Sequence, residues 1–226
     1  MRDLVIVAHP DDEVLCCGGT IARRVSEGHD VGVAILGEGV TSRFENRDDA
    51  NSHLLKTLRS QTKRAMELLG VKDFFQYELP DNSFDSIPLL KVTKVVEEII
   101  ERFRPERIYT HHIGDLNIDH EITCRAVLTA TRPVSGQCVK EVLSCEVPSS
   151  TEWGFGKLSP SFQPNVFVDI SRTIEQKIQA MLVYESELRA YPHPRSGEAL
   201  KAIAQKWGST AGVNAAEAFM LIRAIR

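Results

Sequence analysis

The sequence of 226 residues has no long apolar run, no basic cluster and no C-x-x-C motif among its five cysteines. A membrane-spanning helix needs roughly 20 apolar residues, and no run approaches that length. The opening run at residues 4–8 is also too short for the apolar region of a secretory signal peptide. Because cysteines within apolar stretches are typical of reduced core thiols, we expect a cytoplasmic protein.

Signals for nucleic-acid and nucleotide binding are missing as well. The 27 Lys and Arg residues are balanced by 31 Asp and Glu residues, for a net charge of −4, so we expect no nucleic-acid partner. No predicted strand is followed by G-x-G-x-x-G or a P-loop, which argues against a nucleotide- or phosphate-binding domain without hydrolytic activity. A small-molecule partner fits better. Closed homo-oligomers are common, and the sequence is compatible with one.

The hydrophobic pattern indicates one α/β domain, residues 1–226. A composition of 42% hydrophobic and 26% charged residues is typical of globular proteins, and domains have ~150 residues. Apolar runs alternate with helical patterns: strands are predicted at residues 4–8, 31–36, 74–79 and 107–110, and helices from Asp12 and at 52–69 and 89–103. This alternation predicts a Rossmann-like open, mostly parallel sheet with helices on both faces.

The C-terminal part has a less regular pattern. A fourth helix is expected at residues 121–131, followed by strands at 139–147 and 166–170. One long helix is predicted at 171–191, capped by its first residue, and residues 217–222 form a short final segment. We therefore expect a small irregular C-terminal extension of the sheet.

A first group of polar residues follows the first predicted strand, in the order His9-Pro10-Asp11-Asp12-Glu13. In open α/β sheets this edge binds ligands. A helix start also favours acidic side chains through its dipole, so capping alone would explain the acids. It would not explain the histidine, and from local spacing the ligand and capping interpretations are equally favoured.

A second group of polar residues follows the fourth predicted strand, in the order Thr110-His111-His112-Ile113-Gly114-Asp115-Leu116-Asn117-Ile118-Asp119-His120. A single histidine is more often a surface or helix-end residue than a ligand. In the common sheet order 3-2-1-4, however, strands one and four are neighbours, and the loops after them face one crevice. We therefore expect His9, Asp12 and His120 to converge there.

Two histidines and one carboxylate suit Zn²⁺, and also Fe²⁺ or Co²⁺, whereas a Mg²⁺ site would use oxygen ligands. Zinc with three protein ligands retains a water, lowers its pKa to about 7 and polarises carbonyl groups, which is the chemistry of amide or ester hydrolysis. Asp11, next to the ligands, is free to act as the general base. Asp119 is placed to orient a ligand histidine.

These two blocks together resemble the PIG-L (LmbE-like) N-acetylglucosaminyl deacetylases. Weaker matches are Gly18-Gly19, Leu69-Gly70-Val71 and the C-terminal Ala216-Glu217-Ala218-Phe219. The resemblance implies a zinc-dependent enzyme that removes the acetyl group from an N-acetylated amino sugar or sugar conjugate. It also implies that His9, Asp12 and His120 bind the metal and that Asp11 is the general base.

One position departs from the family pattern. Many members have His-Pro-Asp-His where this chain has Asn117-Ile118-Asp119-His120. The histidine thought to stabilise the oxyanion is thus replaced by Asn117, whose amide donates a hydrogen bond but cannot be a cation. His111 or His112 would be the histidine that replaces it.

Four further residues are candidates for substrate binding: Arg43, Asp81, His193 and Arg195. Arg43 lies in the loop after the second strand and suits an anion or sugar hydroxyls, although a solvated role is equally favoured. Asp81, with Asn82, follows the third strand in a turn-forming sequence. The Pro-His-Pro-Arg turn at 192–195 is more simply explained as a helix break. Trp153 suits either a sugar platform or the core.

Overall fold

The protein folds into a seven-stranded sheet with helices on both faces. The structure is a computed structural model, and it describes residues 1–45, 47 and 52–226. The strands are β1 (Arg2–Val7), β2 (Asp30–Gly37), β3 (Asp73–Leu79), β4 (Arg107–His111), β5 (Glu141–Cys145), β6 (Val166–Asp169) and β7 (Ala216–Ala224). The helices are α1 (Asp12–Ser26), α2 (Ser52–Leu69), α3 (Leu89–Phe103), α4 (Ile118–Ala130), α5 (Ile174–Leu182) and α6 (Gly197–Ala211). The predicted fold class is confirmed.

The strand order is β3-β2-β1-β4-β5-β7-β6, with β1 to β5 parallel. The central strand β1 explains why both faces are covered. Val5 and Val7 belong to the core on one face, whereas Leu4 and Ile6 belong to the core on the other. Since successive side chains of a strand point to opposite faces, a continuous apolar run requires this double burial.

The C-terminal part is more regular than the sequence predicts. The final segment is a nine-residue strand, β7, which pairs antiparallel with both β5 and β6 and so extends the same sheet. The predicted helix at 171–191 is wrong in length, because α5 ends at Leu182 and turns follow. Ser171 does not cap it, since α5 begins at Ile174 and Thr173 occupies the position before it. Of the described helices, none is long and apolar enough to cross a membrane.

A buried ion pair ties the C-terminal elements to α1. Glu217 of β7 accepts from the amides of Gly19 (2.9 Å) and Thr20 (2.6 Å) in the middle of α1. Lys177 of α5 donates to Glu217 Oε1 at 2.6 Å and to the carbonyl of Leu15 at 2.8 Å. The pair therefore fixes α5 and β7 against the helix that begins at Asp12.

We expect Lys177→Met to lower the free energy of unfolding by about 3–5 kcal/mol, because it leaves the buried Glu217 carboxylate without its cation. Urea unfolding measures this loss. The double variant Lys177→Met/Glu217→Gln should recover part of it, since no uncompensated charge then remains. A single variant within about 1 kcal/mol of the wild type would contradict the role given to this pair.

Candidate active site

Three of the predicted ligands meet at the carboxyl ends of β1 and β4. His9 follows β1, Asp12 begins α1, and His120 lies in the first turn of α4, after the loop that leaves β4. His9 Nδ1 lies 3.3 Å from Asp12 Oδ2 and 3.3 Å from His120 Nε2, and His120 Nε2 lies 3.2 Å from the same Asp12 oxygen. These three residues are referred to below as the ligand triad.

The size of the ligand triad fits a tetrahedral metal ion. Zinc with bonds of about 2.0–2.1 Å separates its ligand atoms by about 3.3–3.4 Å. The three donor atoms already have this separation, and Asp12 and His120 are buried while His9 is partly exposed. A zinc ion held by these three residues would retain room for a water or a substrate oxygen, as catalytic zinc sites do.

Carboxylates hold the outer nitrogens of both histidines. His9 Nε2 lies 2.9 Å from Asp119 Oδ2 and 3.4 Å from Asp81 Oδ1. His120 Nδ1 lies 3.1 Å from Asp115 Oδ1, an ion-pair distance, although the angle is not that of a hydrogen bond. A carboxylate partner on one imidazole nitrogen keeps the other directed at the metal. Asp119 thus lies beside a histidine of the ligand triad, and its role in orienting that histidine stays a prediction. The sequence predicts no role for Asp115, although it lies in the loop before His120.

The electrostatics of the ligand triad favour positive charge at its centre. Burial alone would lower the pKa of His120, but Asp12 and Asp115 raise it to about 9. Burial also opposes the shift at His9, yet Asp119 and Asp12 raise its pKa well above the usual value. Burial would raise the pKa of Asp12, but His120 holds it well below the normal range. The carboxylate charge around the histidines attracts a cation.

Asp11, the predicted general base, is buried beside the ligand triad in a left-handed backbone conformation, with φ of 104°. Its Oδ2 accepts from Arg195 Nη1 at 2.8 Å. Its amide donates to Glu13 Oε2 at 3.1 Å, and Glu13 Oε1 accepts from the Tyr184 hydroxyl at 2.6 Å. Burial raises the pKa of Asp11 well above its usual value, although Arg195 opposes this shift.

A polar pocket of about 150 Å³ opens over the ligand triad. Its polar walls come from the loops after β1 to β5 and from the turns after α5. Besides His9, Asp11 and His120 they include Ser42, Arg43, Asp81, Asn82, Asn117, Ser149, Ser150, Glu187 and Arg195. Of the four predicted substrate-binding residues, three line the pocket: Arg43, Asp81 and Arg195.

Glu187 joins the two arginines of this pocket. Arg43 Nη2 donates to both Glu187 oxygens, at 2.7 and 2.6 Å, and Arg195 Nη1 lies 3.2 Å from Glu187 Oε2. The sequence predicts that Glu187 lies within a helix, and it carries no local signal that this residue lines the pocket. Asp81 is fixed in turn by Ser42, whose amide and hydroxyl donate to Asp81 Oδ2 at 3.0 and 2.6 Å.

His111 is not placed as an oxyanion donor. It is fully buried, and it is not among the described residues that line the pocket. Its Nε2 accepts from the amide of Ala8 at 2.8 Å, and its ring stacks on His120 with centroids 3.8 Å apart. Burial lowers its pKa to about 3, with His120 contributing. As the last residue of a buried strand, it packs behind the ligand triad. His112 Nε2 contacts the carbonyl of Pro160 at 2.7 Å.

Asn117, the other predicted donor, lines the pocket and caps α4. Its Oδ1 accepts from the amide of Asp119 at 2.9 Å, and its Nδ2 donates to Asn82 Oδ1 at 2.8 Å. An amide nitrogen carries two hydrogens, so one remains for a substrate oxygen.

His193 lies outside the described pocket lining, contrary to its predicted binding role. Its Nδ1 accepts from the amide of Arg195 at 3.1 Å, and its ring meets Trp153 edge to face with centroids 5.6 Å apart. Its ring is thus engaged within the turn that carries Arg195. Trp153 is not a core residue, because 40% of it is exposed.

The fold and the site together define an α/β protein with a two-histidine, one-carboxylate centre at the carboxyl edge of its sheet. The family model for PIG-L, GlcNAc-PI de-N-acetylase, matches residues 4–131, which contain the complete ligand triad and Asp11. The chain belongs to the PIG-L family, as its motifs indicated.

Two curated relatives are similar over most of their length. A probable N-acetyl-alpha-D-glucosaminyl L-malate deacetylase 2 from Bacillus cereus is 26% identical over 83% of this chain and 84% of its own. The diacetylchitobiose deacetylase of Thermococcus kodakarensis is 27% identical over 98% of this chain and 83% of its own.

Among solved structures, the 4-carboxy-2-hydroxymuconate hydratase of Pseudomonas putida KT2440 matches with a TM-score of 0.78 at 18% identity, over 100% of this chain and 98% of that one. A fold match at this identity does not define the reaction, because one fold hosts several chemistries. The function must therefore be argued from the site.

Proposed function

We propose that this protein is a metal-dependent hydrolase that removes the acetyl group from an N-acetylated amino sugar or sugar conjugate. The observation that carries the proposal is the ligand triad, of tetrahedral dimensions, beside a buried carboxylate in a polar pocket. The two curated deacetylases support the same reaction class. Zn²⁺ is the metal that we propose, and Fe²⁺ and Co²⁺ accept the same ligands.

Different residues of the site carry the different steps of amide hydrolysis. A divalent cation held by His9, Asp12 and His120 would supply Lewis acidity toward water and the amide carbonyl. Asp11 takes the proton from the attacking water and delivers it to the leaving amine nitrogen, so that acetate and the free amine are formed. Asn117 donates to the oxygen on which negative charge develops.

Other pocket residues position these groups and the sugar. Arg195 holds the Asp11 carboxylate at 2.8 Å, and Glu13 fixes the backbone of Asp11. Asp81, Asn82 and Arg43 offer acceptors and donors for sugar hydroxyls at the pocket wall. We also propose a cytoplasmic location, on the basis of five free cysteines, four of them buried.

Metal analysis combined with an acetate assay tests the proposal. We expect about one zinc or iron per chain, acetate release from at least one N-acetylated amino sugar conjugate, loss of release after chelation, and recovery on adding zinc. Full turnover by the metal-free protein would overturn the metal-dependent mechanism. Absence of acetate from the metal-loaded protein across monosaccharides, disaccharides and aglycone conjugates would overturn the proposed reaction.

Tyr184→Phe tests the support of the general base. The variant removes the hydroxyl that donates to Glu13 at 2.6 Å, and Glu13 in turn accepts from the amide of Asp11. We expect kcat to fall about tenfold, because small displacements of a catalytic group are costly. KM and metal content should stay the same, since Tyr184 touches neither pocket nor metal ligands in the described contacts.

The control for this experiment is Tyr77→Phe, which removes a hydroxyl of β3 that donates to Glu98 of α3 in an exposed pair. It should leave kcat unchanged. If Tyr184→Phe instead raised KM or lowered metal content with kcat intact, Tyr184 would serve general packing and not the position of Asp11.

A further inference from the structure

Asp11 has a backbone conformation that residues with a Cβ rarely adopt. Its φ of 104° lies in the left-handed region, and the residue is buried. Strain of this kind persists only where the surrounding structure fixes a residue from several sides. The groups that contact Asp11 therefore have a positional role in addition to their electrostatic one.

An arginine from the turns between α5 and α6 holds the carboxylate of Asp11. Arg195 Nη1 donates to Asp11 Oδ2 at 2.8 Å, and Arg195 Nε donates to the hydroxyl of Ser149 at 2.8 Å. The same Nη1 donates to Oε2 of Glu187 at 3.2 Å, so one nitrogen contacts two carboxylates. Ser149 and Glu187 thus fix the guanidinium in the orientation in which it contacts Asp11.

Glu187 is itself held in place. It is buried, although a carboxylate is rarely buried without partners. Arg43 Nη2 donates to both of its oxygens, at 2.7 and 2.6 Å, and the hydroxyl of Ser186 donates to Oε1 at 3.0 Å. These charge-assisted contacts form one chain, from Arg43 through Glu187 and Arg195 to Asp11.

From this chain of contacts we infer that Glu187 is a positioning residue for the proposed reaction. It holds Arg195 in the orientation that directs the carboxylate of Asp11, and Arg43 in turn holds Glu187. This role needs no contact between Glu187 and the substrate, although Glu187 lines the pocket. The inference rests on the proposed function, and it gives Arg43 an effect on turnover beyond any contact with the sugar.

Glu187→Gln tests the inference, because it removes the charge and keeps the size of the side chain. With N-acetylglucosamine and N,N'-diacetylchitobiose as substrates, we expect kcat for acetate release to fall about tenfold, since small displacements of a catalytic group are costly. KM and metal content should stay within about twofold of the wild type. A raised KM with kcat intact would make Glu187 a substrate-binding residue and would overturn the inference.

Glu185→Gln is the matched control, since Glu185 is an exposed carboxylate two residues earlier in the same turns. It should leave kcat, KM and metal content unchanged.

A double-mutant cycle tests the link to Arg43. Arg43→Ala should lower kcat about fivefold in the wild type and have little further effect in Glu187→Gln, because both substitutions break the same chain. A rise in KM that is equal in both backgrounds, with kcat unchanged, would remove Arg43 from the chain. Arg64→Ala is the control, since Arg64 forms an exposed pair with Glu67 on α2.

A spectroscopic measurement tests the chain without a substrate. In ¹⁵N NMR of the zinc-loaded protein, the Nε–H signal of Arg195 is assigned by its absence from Arg195→Lys. We expect its hydrogen to exchange with water at least about tenfold faster in Glu187→Gln than in the wild type, because exchange reports local opening. Glu185→Gln should exchange as the wild type does.

The two proposals fail in different ways. Unchanged exchange at Arg195 in Glu187→Gln would overturn the role of Glu187 through Arg195, whether or not acetate is released. Absence of acetate from both sugars and from the other conjugates, with exchange at Arg195 that depends on Glu187, would overturn the deacetylase function and support the contact chain.

Discussion

Replacement of Asp11 by Ala or Asn is expected to lower acetate release at least about a thousandfold while the metal stays bound. General acid-base catalysis contributes ~10²–10⁴-fold, and the proposed reaction uses Asp11 both to accept and to deliver the proton. Asn preserves the shape of the side chain but cannot accept that proton. Arg195 keeps Glu187 as a partner in either variant, so the pocket retains a charge pair.

Turnover rates and metal content of the purified variants check this expectation. Asp30→Asn is a matched control, because Asp30 begins β2 at the opposite edge of the sheet and its side chain is 66% exposed. It should behave as the wild type. An Asp11→Asn enzyme with activity within about tenfold of the wild type would show that another group moves the proton.

Replacement of a metal ligand should lower the metal content as well as acetate release. We expect His120→Ala, and likewise Asp12→Ala, to reduce the metal from about one per chain to a small fraction and to abolish acetate release. Only three protein ligands form the proposed centre, so each loss removes a third of the protein's bonds to the ion. The carboxylate of Asp115 also loses its imidazole partner in His120→Ala.

Elemental analysis after dialysis measures the metal, and circular dichroism verifies that the variants are folded. His29→Ala is the matched control, because this partly exposed histidine precedes the amino end of β2, at the edge of the sheet opposite to the ligand triad. Retention of one metal per chain by His120→Ala would remove His120 from the ligand set. Together, the Asp11 and His120 variants separate proton transfer from metal binding.

Much of the site was predictable because its signals are local. The apolar run of β1 and the helix that follows fix His9, Asp11 and Asp12 at one strand end. The parallel order of β1 and β4 then brings His120 to the same crevice, since strand ends at one edge share one set of loops. The ligand triad thus follows from periodicity together with one topological rule.

Other features depend on contacts that local patterns do not carry. The prediction of a helix to residue 191 is wrong, because turns follow Leu182 and place Tyr184 in a buried contact with Glu13 and Glu187 in a partly buried contact with Arg43. Helical propensity is a weak preference that such tertiary contacts override. His111 likewise has a ligand's chemistry but a core position, because it ends a strand covered on both faces.

By itself, the sequence determined the α/β class, the strands that carry the ligand triad and the residue types of the candidate metal centre. Only the tertiary structure decided that Asp119 bonds the His9 imidazole and Asp115 lies beside that of His120, that Arg195 and Glu187 line the pocket, and that β7 enters the sheet between β5 and β6. The physical reason is distance along the chain: periodicity describes neighbouring residues, whereas these pairings join segments whose encounter depends on how the whole chain packs.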